Sequence, residues 1–190
     1  MADEDRTPFD LLLTAMKTGA AALRDAGIPF MLAGGLASWA RGGPPTEHDV
    51  DFMVKPEDLD RAGDVLGTAG FRIEQPPEEW LRKAYLGEAL VDIIHTPVGI
   101  PVDDDMLGRA EDLEVQAVLM PVMSADDLLV TKVLALSEHN ADFESVLEVG
   151  RSLREQIDWS AVRERTSGSP FGKAYLVLAE ELGLVQAVAS

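Results

Sequence analysis

The sequence predicts an α/β (α+β) protein, with a small mixed β-sheet flanked by helices over residues 1–121 and a helical domain over residues 122–190. Three observations predict this. Short apolar runs bounded by Gly and Pro alternate with amphipathic stretches as far as Met120. From Ser124 the pattern becomes helical only. The stretch Met31–Val54, MLAGGLASWARGGPPTEHDVDFMV, reads as strand, glycine turn, short helix, loop and strand.

Phe9–Ala26 is the first expected helix. Phe9, Leu12, Leu13, Met16, Ala20 and Leu23 follow the 3.6-residue period, Pro8 suits a first turn, and Gly27 suits the position past the end. Ile28–Ala33 forms the first strand, and Gly35–Trp39 begins a short helix whose amides, unobstructed at Gly34 and Gly35, can face phosphate oxygens. Gly42-Gly43-Pro44-Pro45 continues neither helix nor strand. In the second strand, Asp49-Val50-Asp51-Phe52-Met53-Val54, side chains alternate, so Asp49 and Asp51 share one face. Two such carboxylates repel unless something positive lies between them, and a divalent metal is the usual answer. Asp-x-Asp alone is an ordinary exposed pair and Gly-Gly alone an ordinary turn; together, at this spacing, they point to chemistry. His48 reads as a solvated bystander.

Pro56–Ala69 is a helix with Leu59, Ala62, Val65 and Leu66 on one face, stopped by Gly70. Phe71–Ile73 is a short strand, and Ala84–Leu86 pairs with Ala89–Ile94 through the turn Gly87-Glu88. Asp92 sits inside the apolar run Leu90–Ile94, where its carboxylate is costly to desolvate unless paired or metal-bound. Its bland reading is an edge residue facing water. Asp103-Asp104-Asp105 reads as the acidic start of a helix over Met106–Ala110, and Val115–Met120 as the last strand.

Ser124-Ala125-Asp126-Asp127 opens a helix over Ala125–Glu138. Lys132 falls between Leu128 and Leu136 on its wheel and so points inward, where a lysine snorkels or answers an anion. In the next helix, Ala141–Glu155, Asp142 lies on the apolar arc and reads either as a first-turn cap or as the partner of Lys132. Trp159 anchors the following turn, and Phe171–Leu184 is the final amphipathic helix.

Charge excludes more than it selects. Sixteen Lys and Arg against 34 Asp and Glu give a net charge of −18, with no basic cluster longer than Arg82-Lys83. An extensive nucleic-acid surface needs a basic stripe and is excluded, whereas one small anionic ligand bridged by metal, or a basic partner protein, is not. The absence of cysteine excludes disulfides and thiolate chemistry. No apolar run reaches membrane-spanning length and the first residues are acidic, so a cytoplasmic protein is expected.

The pattern Ala33-Gly34-Gly35, Leu36–His48, Asp49-Val50-Asp51-Phe52 resembles the signature of the DNA polymerase beta-like nucleotidyltransferase superfamily. The resemblance implies transfer of NMP from an NTP to a hydroxyl acceptor, with release of pyrophosphate. It implies Mg²⁺, or Mn²⁺ in its place, on Asp49, Asp51 and Asp92, and nucleotide contacts from Gly34, Gly35, Lys132 and Asp142. The Lys132…Asp142 segment loosely resembles AbiEii-type toxins, which would add an antitoxin partner and a protein or RNA acceptor. Thr46-Glu47-His48-Asp49 resembles the aminoglycoside nucleotidyltransferases, whose small cationic acceptors suit an acidic cleft. A non-catalytic nucleotide-binding scaffold is the third alternative, and retaining three mutually repelling acids counts against it.

Overall fold

The computed structural model describes residues 7–46 and 48–185. Helix α1 (Pro8–Asp25) starts at a reciprocal cap. Asp10 N donates to Thr7 Oγ1 at 3.2 Å, and Thr7 N donates to the Asp10 carboxylate at 3.0 Å. Its buried face, Leu12, Ala15, Met16, Ala20 and Leu23, is the one expected from the period, and Gly27 follows its end at φ +65°.

Seven strands form one mixed sheet: β1 (Phe30–Ala33), β2 (Val50–Val54), β3 (Arg72–Glu74), β4 (Leu81–Leu86), β5 (Ala89–Ile94), β6 (Glu111–Val115) and β7 (Val118–Val122). Their order is β3-β4-β5-β2-β1-β7-β6. Only β2/β5 and β1/β7 run parallel. The central strands β1 and β2 are apolar and buried apart from Asp51, so the middle of the sheet forms the core and carries the acids. Helix α2 (Gly34–Ala40) leaves β1 directly, and α3 (Leu59–Thr68) follows a single 3₁₀ turn at Pro56–Asp58.

Two expectations about strands are corrected. The hairpin arm β4 begins at Leu81 rather than Ala84. The single strand expected over Val115–Met120 is instead a hairpin whose turn, Gln116-Ala117, has both residues at positive φ, +52° and +65°. That is the backbone of a two-residue type I′ turn, normally announced by Asn-Gly, and neither residue announces it. Strand β6, Glu-Asp-Leu-Glu-Val, is mostly exposed and acid-rich at the sheet edge, so it lacks apolar alternation. Asp103 does cap the short helix α4 (Asp104–Gly108), accepting from Met106 N at 2.8 Å.

Four helices follow: α5 (Ala125–Ala135), α6 (Phe143–Ser152), α7 (Trp159–Thr166) and α8 (Pro170–Glu181). Ser124 caps α5 as expected, but the helix stops at Ala135, three residues short of Glu138, and α6 begins at Phe143 rather than Ala141. Helix α7 carries mainly polar residues with only Val162 and Thr166 buried, so no apolar arc marks it. Two buried charges join these helices to the residues before them. Asp127 has no exposed surface and accepts from Arg109 at 2.9 and 3.1 Å, from Ser124 Oγ at 2.9 Å, and from Arg165. The Arg41 guanidinium donates to the carbonyls of Met123 (2.6 Å) and Val122 (3.2 Å) and pairs with Glu111 at 3.2 Å, while Gln156 donates back to the Arg41 carbonyl at 2.9 Å. One hydrophobic cluster runs from Leu12 on α1 to Ala179 on α8. Among the described residues, no helix is long and apolar enough to cross a membrane.

Candidate active site

The sheet order brings distant acids together. Strand β5 lies parallel to β2 with Asp92 in register with Asp51, and Asp49 stands just before Val50, the first residue of β2, which begins one residue later than expected. Asp49, Asp51 and Asp92 each offer a carboxylate oxygen, and these oxygens lie within 4.8 Å of one another. The three acids anticipated from sequence therefore converge.

Their electrostatics follow from crowding. Asp51 is pushed up to about 7, first by burial and then by the neighbouring charges of Asp49 and Asp92, against the smaller pull of Lys132 and Lys83. Burial also raises Asp92, opposed by Lys83, whose Nζ lies 3.3 Å from Asp92 Oδ1. Lys83 stands opposite Asp92 in the β4–β5 ladder, and the sequence reading missed it. A signal was present, because a two-residue turn at Gly87-Glu88 sets the register that puts residue 83 across from residue 92.

The glycines are required by space. Gly34 has φ +60°, and a β-carbon there would collide with the Asp51 carboxylate. A β-carbon on Gly35 would lie 2.7 Å from Thr46 Oγ1, so the loop before β2 closes over the start of α2. Ala33 caps α2 without a side-chain hydrogen bond.

A cavity of about 350 Å³ opens between α2, residues 44–46 and 48, α5 and α6. Gly35, Thr46, His48, Lys132, Asp142 and Glu148 are among its lining residues. Lys132 is half-buried there, and its charge acts on Asp51. Asp142 caps α6, with Oδ1 accepting from Ser145 N at 3.1 Å, so its capping reading describes its hydrogen bond. His48 is exposed at the rim. A larger cavity, about 610 Å³ between Arg24–Phe30 and β7, contains none of these acids. Asp49, Asp51 and Asp92 do not line the smaller one either; Lys132, whose charge acts on Asp51, and His48, next to Asp49 in the chain, connect it to them.

A family model described as uncharacterised nucleotidyltransferase matches residues 11–189. The chain belongs to this nucleotidyltransferase family. The transferase is similar in structure to the antibiotic-resistance factor ANT(2'')-Ia in solution, with TM-score 0.60 and 16% identity over 90% of this chain and 96% of that one. The crystal structure of ANT(2'')-Ia in complex with adenylyl-2''-tobramycin gives TM-score 0.59 and 16% identity over 86% and 98%. The lincosamide antibiotic adenylyltransferase LnuA, bound to lincomycin, gives 0.53 and 14% over 72% and 94%. At such identities these likenesses show a shared nucleotidyltransferase-like fold. No curated protein matches the sequence.

Proposed function

We propose that this nucleotidyltransferase transfers NMP from an NTP to a hydroxyl of a small cationic acceptor and releases pyrophosphate. The observation that carries the reading is the convergence of Asp49, Asp51 and Asp92, whose oxygens lie within 4.8 Å, against a glycine that leaves room for nothing else. Three carboxylates that raise one another's proton affinity suit a hard divalent cation. Asp49, Asp51 and Asp92 would hold Mg²⁺, or Mn²⁺ in its place, which when bound offsets triphosphate charge and polarises the α-phosphorus.

The chain's own groups do the rest. Asp92 takes the proton of the acceptor hydroxyl, with Lys83 at 3.3 Å keeping that carboxylate aimed and opposing the rise that burial imposes on it. The hydroxyl oxygen bonds the α-phosphorus as the bond to the bridging oxygen breaks, and pyrophosphate departs. The Gly34 and Gly35 amides and Lys132 hold the β- and γ-phosphates. Asp142, on the same cavity, accepts from the nucleotide's sugar hydroxyls. In this arrangement residues 1–121 carry the acids and residues 122–190 form the domain that closes the cleft, acting in the cytoplasm where NTPs are available.

The net charge of −18 supports a cationic acceptor, as does the fold shared with ANT(2'')-Ia, a protein seen with adenylyl-2''-tobramycin. An AbiEii-type toxin acting on protein or RNA, silenced by an antitoxin, is the second reading, favoured by Lys132 and Asp142 lining one cavity from two helices. The deciding experiment offers labelled ATP, CTP, GTP or UTP with Mg²⁺ to aminoglycosides, tRNA and the protein itself. Label on an aminoglycoside, lost in Asp51→Asn, supports the first reading. Label on tRNA or protein supports the second. NTP binding without transfer to any acceptor overturns both in favour of a scaffold.

A further inference from the structure

Helix α8 buries Gly172, Tyr175, Leu176 and Ala179 against the other C-terminal helices. Its opposite face is apolar yet exposed: Val177 is 57% accessible, Leu182 53% and Leu178 38%. Lys173, Ala174 and Glu181 complete that face. The six residues form two adjacent ridges of i, i+4 spacing, Lys173-Val177-Glu181 and Ala174-Leu178-Leu182.

Each ridge is self-complementary about its middle residue. Val177 is equidistant in sequence from a cation and an anion; Leu178 is equidistant from a small residue and a large one. An antiparallel copy related by a two-fold axis beside Val177 meets Lys173 with Glu181, and places Ala174 within a turn of Leu182. Each charge pair and each small–large contact then occurs twice. Neither Lys173 nor Glu181 makes an ion pair among the described residues, whereas the adjacent Glu180 is engaged by Arg163. None of the six lines the cavity that contains Lys132, so pairing leaves that cavity open.

We propose that the exposed face of α8 docks a second copy of this chain as an isologous antiparallel helix pair. An interface centred on one helix lies at the small end of the size range, so the dimer is a weak one that exchanges with monomer.

Sedimentation equilibrium of the whole protein, from low to hundreds of micromolar, tests this. The mass rises with concentration from 20.5 kDa toward twice that value. Val177→Glu holds it at monomer throughout. Lys173→Glu and Glu181→Lys, each placing like charges across the axis twice, weaken association by about tenfold or more, and the double variant restores it. Circular dichroism of each variant matches the parent, because the changed side chains are at the surface. A monomer at every concentration, a dimer indifferent to Val177→Glu, or a double variant as weak as either single one would overturn the proposal.

Discussion

The Asp51 carboxylate occupies the space where a side chain at Gly34 would begin. Position 34 therefore sets where the central acid of the cluster can sit. Gly34 opens α2 immediately after β1, and Ala33, the residue before it, pairs with Asp51 in the β1–β2 ladder.

Gly34→Ala moves that acid. The substitution adds about 1–2 kcal/mol of left-handed strain and drives Asp51 away from Asp49 and Asp92. Displacements of this order cost roughly 100-fold in rate, so nucleotidyl transfer falls by at least that factor while circular dichroism shows a folded protein. Full activity in the variant would contradict the role given to this contact.

The metal-free protein loses stability as pH rises from about 4 toward about 7. Asp51 has its folded value raised from 3.8 to about 7, so the unfolded chain releases its proton first across that window. The stabilising contribution is complete below the unfolded value and gone above the folded one. Urea titrations across the window measure the slope. Asp51→Asn flattens it, and Mg²⁺ added near neutral pH raises stability in the parent far more than in the variant.

Asp127 behaves in the opposite sense. Burial works to raise it, but the hydrogen bonds from Arg109 and Arg165 prevail and hold it below its ordinary value. Its contribution is present above pH 3.8 and is lost as pH falls through the lower folded value. Asp127→Ala removes the hydrogen bonds to two partly exposed guanidinium groups and costs about 1–3 kcal/mol in chemical denaturation.

The two lysines separate in kinetics. Lys132→Met raises KM for the NTP by roughly tenfold, because it removes a phosphate contact present before and during transfer. Lys83→Met lowers kcat by roughly 10–100-fold with little change in KM, because it acts through Asp92 on proton transfer. Steady-state rates over a range of NTP concentrations distinguish them. Equal effects on both parameters in both variants would reject the assignment.

At the β6–β7 turn, Ala117→Gly stabilises the protein by about 1 kcal/mol, since Ala117 holds φ +65° without a glycine's freedom. The shift appears in the midpoint of a denaturant titration.

Much of this was legible because it was local. The strand, glycine turn and acid pair of Met31–Val54 depend on period and turn chemistry within a short window, and β1, α2 and β2 form there. Asp92 stood out as a lone acid in an apolar run, and the sheet sets it in register with Asp51. Lys83 was hidden because Leu81-Arg82-Lys83 looks like loop until the register of its hairpin is followed outward. Strand β6 was hidden because an exposed edge tolerates acids, and its turn uses Gln and Ala where a signal residue is usual. The extents of α5 and α6 were overread because apolar periodicity ran past the residues where the backbone turns at Ser137–Asn140.

Arg41 carries one further consequence. Two of its hydrogen bonds end on main-chain oxygens, at Val122 and Met123, and Gln156 grips its own main-chain oxygen in return. A fastening that reads the backbone is indifferent to which side chains stand at positions 122 and 123. The joint between sheet and helices can therefore keep its shape while the side chains around it drift.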